Sequence, residues 1–183
     1  ANLAVLLYKK YTKIEKKLIK KEKNIKIILL APAFSVNNKV FPSFFEILKG
    51  FLLRKEFKFK SKNPGCNNPE YINFYKNYHN SIPAKRFFDL YILIKMGKKY
   101  VKYIDIPILI IHSKKDLISP FNESLKIFKK IDSKLKIFIT LSKSNHFIQL
   151  DYERTEVYEL SKGFIEKGFN NFIKESTTSA TTA

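Results

Sequence analysis

Three apolar runs constrain what this chain can fold into: Ile25-Lys-Ile-Ile-Leu-Leu-Ala-Pro32, Pro107-Ile-Leu-Ile-Ile-His112 and Leu135-Lys-Ile-Phe-Ile-Thr-Leu141. A strand with one wet face alternates apolar and polar residues, whereas a strand covered on both faces has no polar side to show. These runs are mostly apolar throughout, so they predict parallel strands sandwiched between helices. The segments between them agree. Residues 121–131 carry Phe121, Leu125 and Phe128 on one side of a helix. A further helix is predicted from Asp151 to about residue 173, with Asp151 as its N-cap and Val157, Leu160, Phe164 and Phe172 on its buried face. Strand–helix–strand–helix of this kind is a doubly wound parallel-sheet α/β fold.

The rest of the chain hangs on that frame. Residues 2–22 read as an amphipathic helix, with Leu3, Leu7, Tyr11, Ile14 and Leu18 at helical spacing and lysines on the other faces. Residues 84–100 form another, with Phe87, Tyr91 and Ile94 inward. From Ala33 to about Ser81 the rhythm breaks. Phe41, Phe44, Phe45, Phe51, Phe57, Phe59, Tyr71, Phe74, Tyr75 and Tyr78 are interleaved with Pro42, Pro64 and Pro69. That stretch is too long for a simple connection and predicts an inserted subdomain, a lid. Residues 176–183 have no apolar period and read as a disordered tail. The expected organisation is helix and core strand at 1–32, lid at 33–82, α/β core at 83–175 and tail at 176–183.

The chemistry sits just past the second and third runs. The second ends in His112-Ser-Lys-Lys-Asp116-Leu-Ile-Ser-Pro120, and the third in Ser142-Lys-Ser-Asn-His146. A hydroxyl is a poor nucleophile until a base takes its proton, and an acid beside the base holds the imidazole in the right tautomer. Asp116 and His146 are the candidate catalytic residues. Separately, Asp116 could cap the helix from residue 121, and His146 could be an ordinary loop histidine. Together, each behind a strand, they favour chemistry. His112 closes a strand and reads as structural, and His79 reads as a surface residue of the lid. Three histidines without H-x-x-x-H spacing and one cysteine make no zinc case, and no metal or cofactor is implied. Cys66 follows Pro64-Gly65 and reads as inert. Ser113 and Ser119 flank the acid loop but stand in no G-x-S-x-G elbow, so neither is a nucleophile, and no such motif occurs in the 183 residues.

These loops resemble a known family. Ile106-Pro-Ile-Leu-Ile-Ile-His-Ser-Lys-Lys-Asp116-Leu-Ile-Ser-Pro120 is similar to the acid-bearing segment of α/β-hydrolase carboxylesterases and monoacylglycerol lipases, where a Pro opens the strand and another follows the acid. Ser142-Lys-Ser-Asn-His146, followed by Asp151 and Glu153, resembles their histidine loop, and Leu30-Ala-Pro32 the strand end before their lid. The resemblance covers residues 1–173 and is weakest in the lid. It implies a Ser…Asp…His order and hydrolysis of carboxylic esters through an acyl-enzyme. Small-molecule esters such as acyl glycerols are the expected substrates. Separately, a single cysteine suits a reducing compartment, so a cytoplasmic location is expected. Ala1-Asn-Leu-Ala-Val-Leu-Leu7 resembles the helix that follows the family's nucleophile elbow. The serine and the oxyanion donors are then expected ahead of Ala1, and this chain alone is expected to be inactive.

The formal charge of +19, from 35 basic and 16 acidic residues, raises the question of nucleic acid or an anionic membrane. The basic residues are spread along the chain and nearly all are lysine. Arginine, which makes bidentate phosphate and base contacts, stands only at positions 54, 86 and 154. No specific nucleic-acid site is predicted. Compositional drift toward Lys, Asn, Ile, Phe and Tyr accounts for the charge. No apolar run approaches the roughly 18 residues of a membrane span. The competing reading is a non-catalytic fragment or a binding module that uses the basic surface.

Overall fold

The computed structural model describes residues 2–14, 25–37, 41–58, 65–76, 81–167, 169 and 171–173. In chain order the elements are α1 (Asn2–Ile14), β1 (Ile27–Leu30), α2 (Phe44–Leu52), β2 (Glu56–Lys58), α3 (Pro69–Lys76), β3 (Ser81–Pro83), α4 (Ala84–Tyr100), a 3-10 turn at Val101–Tyr103, β4 (Ile108–Ser113), α5 (Phe121–Lys129), β5 (Lys136–Leu141) and α6 (Arg154–Glu166). The three predicted strands form one parallel sheet in the order β1-β4-β5. β4 is central and every residue of it is buried.

The absence of alternation in β4 has its expected cause. Ile108 and Ile110 join Val5, Tyr8, Val101, Ile104, Ile127 and Ile131 in one apolar layer. Leu109 and Ile111 join Leu141, Ile148, Val157, Phe164 and Phe172 in the other. Both faces of the strand are therefore covered, and burying each such side chain stabilises the fold by about 1.5–3 kcal/mol. The register pairs Ile110 with Phe138 and Ser113 with Leu141, so β4 and β5 end side by side. The loops that follow them must be neighbours.

Several expectations are corrected in detail. Leu3 and Leu7 of α1 are 58% and 56% exposed, whereas Asn2, Val5 and Tyr8 are buried. The start of this helix is apolar all round, so two stripes fit the helical period. Packing selects the stripe next to Asn2, which sits where Gly97 of α4 leaves room: a Cβ at Gly97 would lie 2.2 Å from Asn2 Oδ1. The Tyr8 hydroxyl donates to Asp105, fixing the same face. Tyr91 is 42% exposed and lies against Phe44, with ring centroids 4.8 Å apart, while Phe87 and Ile94 are buried as predicted. On α5 the buried residues are Ser124 and Ile127. Phe121 and Phe128 pack edge-on to Phe138 of β5.

α6 stops at Glu166, short of residue 173, because Lys167 turns to extended backbone. The Lys26 ammonium takes the carbonyls of Phe164, Ile165 and Lys167 at 2.8, 2.8 and 3.0 Å. A cation is favourable at a helix C-terminus, where carbonyls lack partners. The break folds Phe172 back onto Phe164.

Between β1 and α4, α2 opens with a capping box: Ser43 Oγ accepts from Glu46 N–H, and Glu46 reaches back to the Ser43 N–H. β2 and β3 pair antiparallel in a separate two-stranded sheet. Aromatic rings pack across this region, with Phe51 stacked on Phe88 at 5.3 Å and Phe57 edge-on to Phe87 at 5.5 Å. Leu18, Phe59, Pro64, Tyr78, His79 and the 176–183 tail lie outside the described residues. Among the described residues no helix is long and apolar enough to cross a membrane.

Candidate active site

Asp116 and His146 meet. The β4 strand runs into a turn in which Asp116 Oδ1 accepts the N–H groups of Ile118 and Ser119 at 2.8 and 2.7 Å. Aspartate favours such turns because its side chain can take amides two and three residues on. Oδ2 is left to face His146 Nδ1 at 2.8 Å. The Asp116 carboxylate is fully buried, whereas the His146 side chain is 17% exposed. With Nδ1 engaged, Nε2 is the nitrogen available for a proton transfer. Burial alone would push the Asp116 carboxyl up. Hydrogen bonds from His112 and His146, the charge of His146 and the Ser119 N–H outweigh it and hold the group well below the usual carboxylate range.

His112 is the member that the sequence reading left out. Its Nε2 also lies 2.8 Å from Asp116 Oδ2, and 3.2 Å from the Ser119 carbonyl. The H-x-x-x-D spacing at a strand end was the available signal, but it works only because the turn curls Asp116 back over the strand.

The two loops are tied together by polar groups. Asn145 is buried, and its Oδ1 accepts from Leu117 N–H at 3.0 Å and from His146 N–H at 2.9 Å. Ser113 Oγ donates to the Ser144 carbonyl and accepts from Lys115 N–H at 3.1 Å. Glu153 accepts the N–H groups of Ser142, Lys143 and Ser144 at 2.9, 3.0 and 2.7 Å. Burial opposes its charge, and these hydrogen bonds still hold the Glu153 carboxyl below its ordinary value. From residues 65–68, Gly65 offers its carbonyl to Phe147 N–H at 2.8 Å. Gly65 has φ +84°, and a Cβ there would lie 2.7 Å from Ile118.

Residues 14–153, well over half of the chain, match the family model described as serine aminopeptidase, S33. The chain belongs to this α/β-hydrolase family. Solved structures share its fold. The monoacylglycerol lipase of Paleococcus ferrophilus has a TM-score of 0.65 at 18% identity, over 80% of this chain and 61% of that one. A soluble variant of monoglyceride lipase from Saccharomyces cerevisiae gives 0.61 at 17%, over 76% and 54%. A structure of the metagenome-derived lipolytic enzymes LipS and LipT gives 0.62 at 19%, over 84% and 59%. The chain thus spans 54% to 61% of the length of these structures. No curated protein matches it by sequence.

In this α/β-hydrolase chain the role expected of Asp151 is corrected. The residue at the N-cap of α6 is Glu153. Asp151 is fully buried and accepts the N–H groups of Asn67, Asn145 and Tyr152 at 2.8, 2.7 and 2.9 Å. It joins the 65–68 segment to the histidine loop. Asp151→Asn would set an NH2 group against those donors. We expect it to lower unfolding stability by about 1–3 kcal/mol, as for a buried donor left unpaired. Urea unfolding measures this, and an unchanged midpoint would show that the network carries no stability.

The other residues weighed from the sequence have local roles. Ser119 Oγ donates to the Pro32 carbonyl at 3.0 Å, and Ser113 to Ser144. Cys66 is buried, and burial first of all pushes its thiol above the usual value, away from the reactive thiolate. Among the described residues no cluster of three His, Cys, Asp or Glu is arranged to hold a metal.

The lowered Asp116 carboxyl links stability to pH. An unstructured Asp titrates at about 4. A carboxyl depressed on folding contributes fully above that pH and loses its contribution as pH falls through the lower folded value. The stability gap between wild type and Asp116→Asn is therefore expected to narrow below about pH 4. Urea titrations at a series of acid pH values test it, and a gap that widens on acidification contradicts the shift.

Proposed function

We propose that Asp116 and His146 are the acid and the base of a serine-dependent carboxylic ester hydrolase, whose nucleophile serine is supplied outside these 183 residues. The carrying observation is the 2.8 Å contact between a buried carboxylate and a partly exposed imidazole, both placed by the ends of adjacent parallel strands. His146 Nε2 takes the serine hydroxyl proton as Oγ attacks the ester carbonyl. It then returns that proton to the departing alkoxide, leaving an acyl-enzyme. Water repeats the cycle and releases the acid. Asp116 keeps the Nδ1–H tautomer and stabilises the imidazolium.

Acyl glycerols and other short- to medium-chain esters are the proposed substrates, in line with the lipolytic names among the structural neighbours. Residues 33–82 are proposed as a lid, since an acyl chain needs an apolar slot and this segment concentrates aromatic residues. The family description, serine aminopeptidase, gives the alternative amide substrate.

The test is release of p-nitrophenol from p-nitrophenyl butyrate, beside p-nitroaniline from aminoacyl anilides. The chain of 183 residues is expected to show no turnover, and a form that also carries a G-x-S-x-G segment ahead of α1 to cleave the ester. Turnover by the chain alone that disappears in His146→Ala would refute the placement of the nucleophile. Cleavage of the anilide in preference to the ester would refute the substrate class.

A further inference from the structure

We infer that His112 is a positioning residue for the candidate site: its Nε2–H shares Asp116 Oδ2 with His146 and so sets how strongly Asp116 engages the base. The inference rests on the reading of Asp116 and His146 as a working pair.

The proton assignment follows from the neighbours. His112 Nε2 has two atoms in reach, Asp116 Oδ2 at 2.8 Å and the Ser119 carbonyl at 3.2 Å, and both are acceptors. Nε2 must therefore carry the hydrogen. Nδ1 is buried and has no hydrogen-bond partner. A side chain that only filled this fully buried position would do so at lower cost as a leucine, which leaves no polar atom stranded. What an imidazole adds is the second donor on Oδ2.

The carboxylate then accepts four hydrogen bonds, close to the capacity of its lone pairs. Two come from the Ile118 and Ser119 amides on Oδ1, and two from imidazoles on Oδ2. The amides pin Oδ1 from the residue's own turn, so the carboxylate stays in place without His112. Sharing of charge is what changes. Two donors on one oxygen each draw on the same electron density, so removing the His112 donor concentrates Asp116 on His146 and strengthens that hydrogen bond.

The experiment is imidazole-detected 1H–15N NMR on the 183-residue chain in wild type, His112→Leu, His112→Asn and His112→Gln, with amide spectra and thermal melts to establish folding. In wild type, His112 is expected as the Nε2–H tautomer and His146 as the Nδ1–H tautomer. The His146 Nδ1–H proton should move downfield in His112→Leu. It should do the same in His112→Asn, whose amide stops near the level of Nδ1, short of the carboxylate. His112→Gln sets an amide near the Nε2 position and should return the signal toward wild type.

A His146 proton that is unmoved in folded His112→Leu or His112→Asn overturns the inference. So does wild-type His112 in the Nδ1–H form, a reading that needs no variant to fold. These signals are read without any ester. Failure of ester hydrolysis and failure of this inference therefore stay distinguishable.

Discussion

Asp116→Asn is expected to lower kcat for ester hydrolysis by about 10⁴-fold in a form of the protein that carries a nucleophile serine, as the same change does in a serine protease. KM should change little, because the Asp116 side chain is fully buried and its side-chain contacts are with His146 and His112. The local geometry gives the reason. Donors converge on both oxygens: backbone amides on Oδ1 and imidazoles on Oδ2. An amide must turn its NH2 toward one set or the other. Facing the imidazoles, it drives His146 to offer a bare Nδ1, which puts the proton on Nε2 and removes the base. Facing the turn, it opposes two N–H groups and loosens the loop. A melting temperature below wild type is therefore expected as well, and kcat is to be compared at a temperature where both are folded. Near-normal kcat in Asp116→Asn would show that the acid lies elsewhere.

His146→Ala is expected to have the larger effect, on the order of 10⁶-fold in kcat, the scale seen when a serine protease loses its histidine. Its cause differs from that of Asp116→Asn, since here the proton acceptor itself is gone. The two losses should not add. Once the base is absent the acid has nothing to orient, and the double variant should be about as slow as His146→Ala alone. Steady-state kinetics on both single variants and the double decide it. Additive losses would mean that Asp116 and His146 serve separate steps.

The fold was legible where composition leaves no choice. The Ile-Leu-Ile-Ile run of β4 excludes a strand with a wet face, and the structure places apolar layers on both sides of it. The loops bearing Asp116 and His146 were legible from their places behind two apolar runs, although only β4 is buried throughout and β5, at the sheet edge, is mostly half-buried with Thr140 exposed. The parallel register that sets Ser113 beside Leu141 then brings those loops together.

What escaped has two physical causes. α1 opens with apolar residues on every face, and helical periodicity cannot choose between Leu3–Leu7 and Val5–Tyr8. A partner helix with a glycine at position 97 makes that choice. Asp151 looked like an N-cap because an acid ahead of a helix commonly is one. Its carboxylate is claimed instead by the Asn67 amide, 84 residues away, and by Asn145. Local reading cannot see a donor delivered by another segment. His112 escaped for a related reason. Its partner is four residues away in sequence, but only the Asp116 turn folds the carboxylate back over a strand end that otherwise looks like plain core.

The most direct test of His146 as the base is the rate of p-nitrophenyl butyrate hydrolysis by the nucleophile-bearing form of His146→Ala, measured with increasing added imidazole. The expected result is almost no turnover without imidazole and a saturating return of part of it as imidazole takes the vacated place beside Asp116. Undiminished turnover in His146→Ala before any imidazole is added would contradict the assignment.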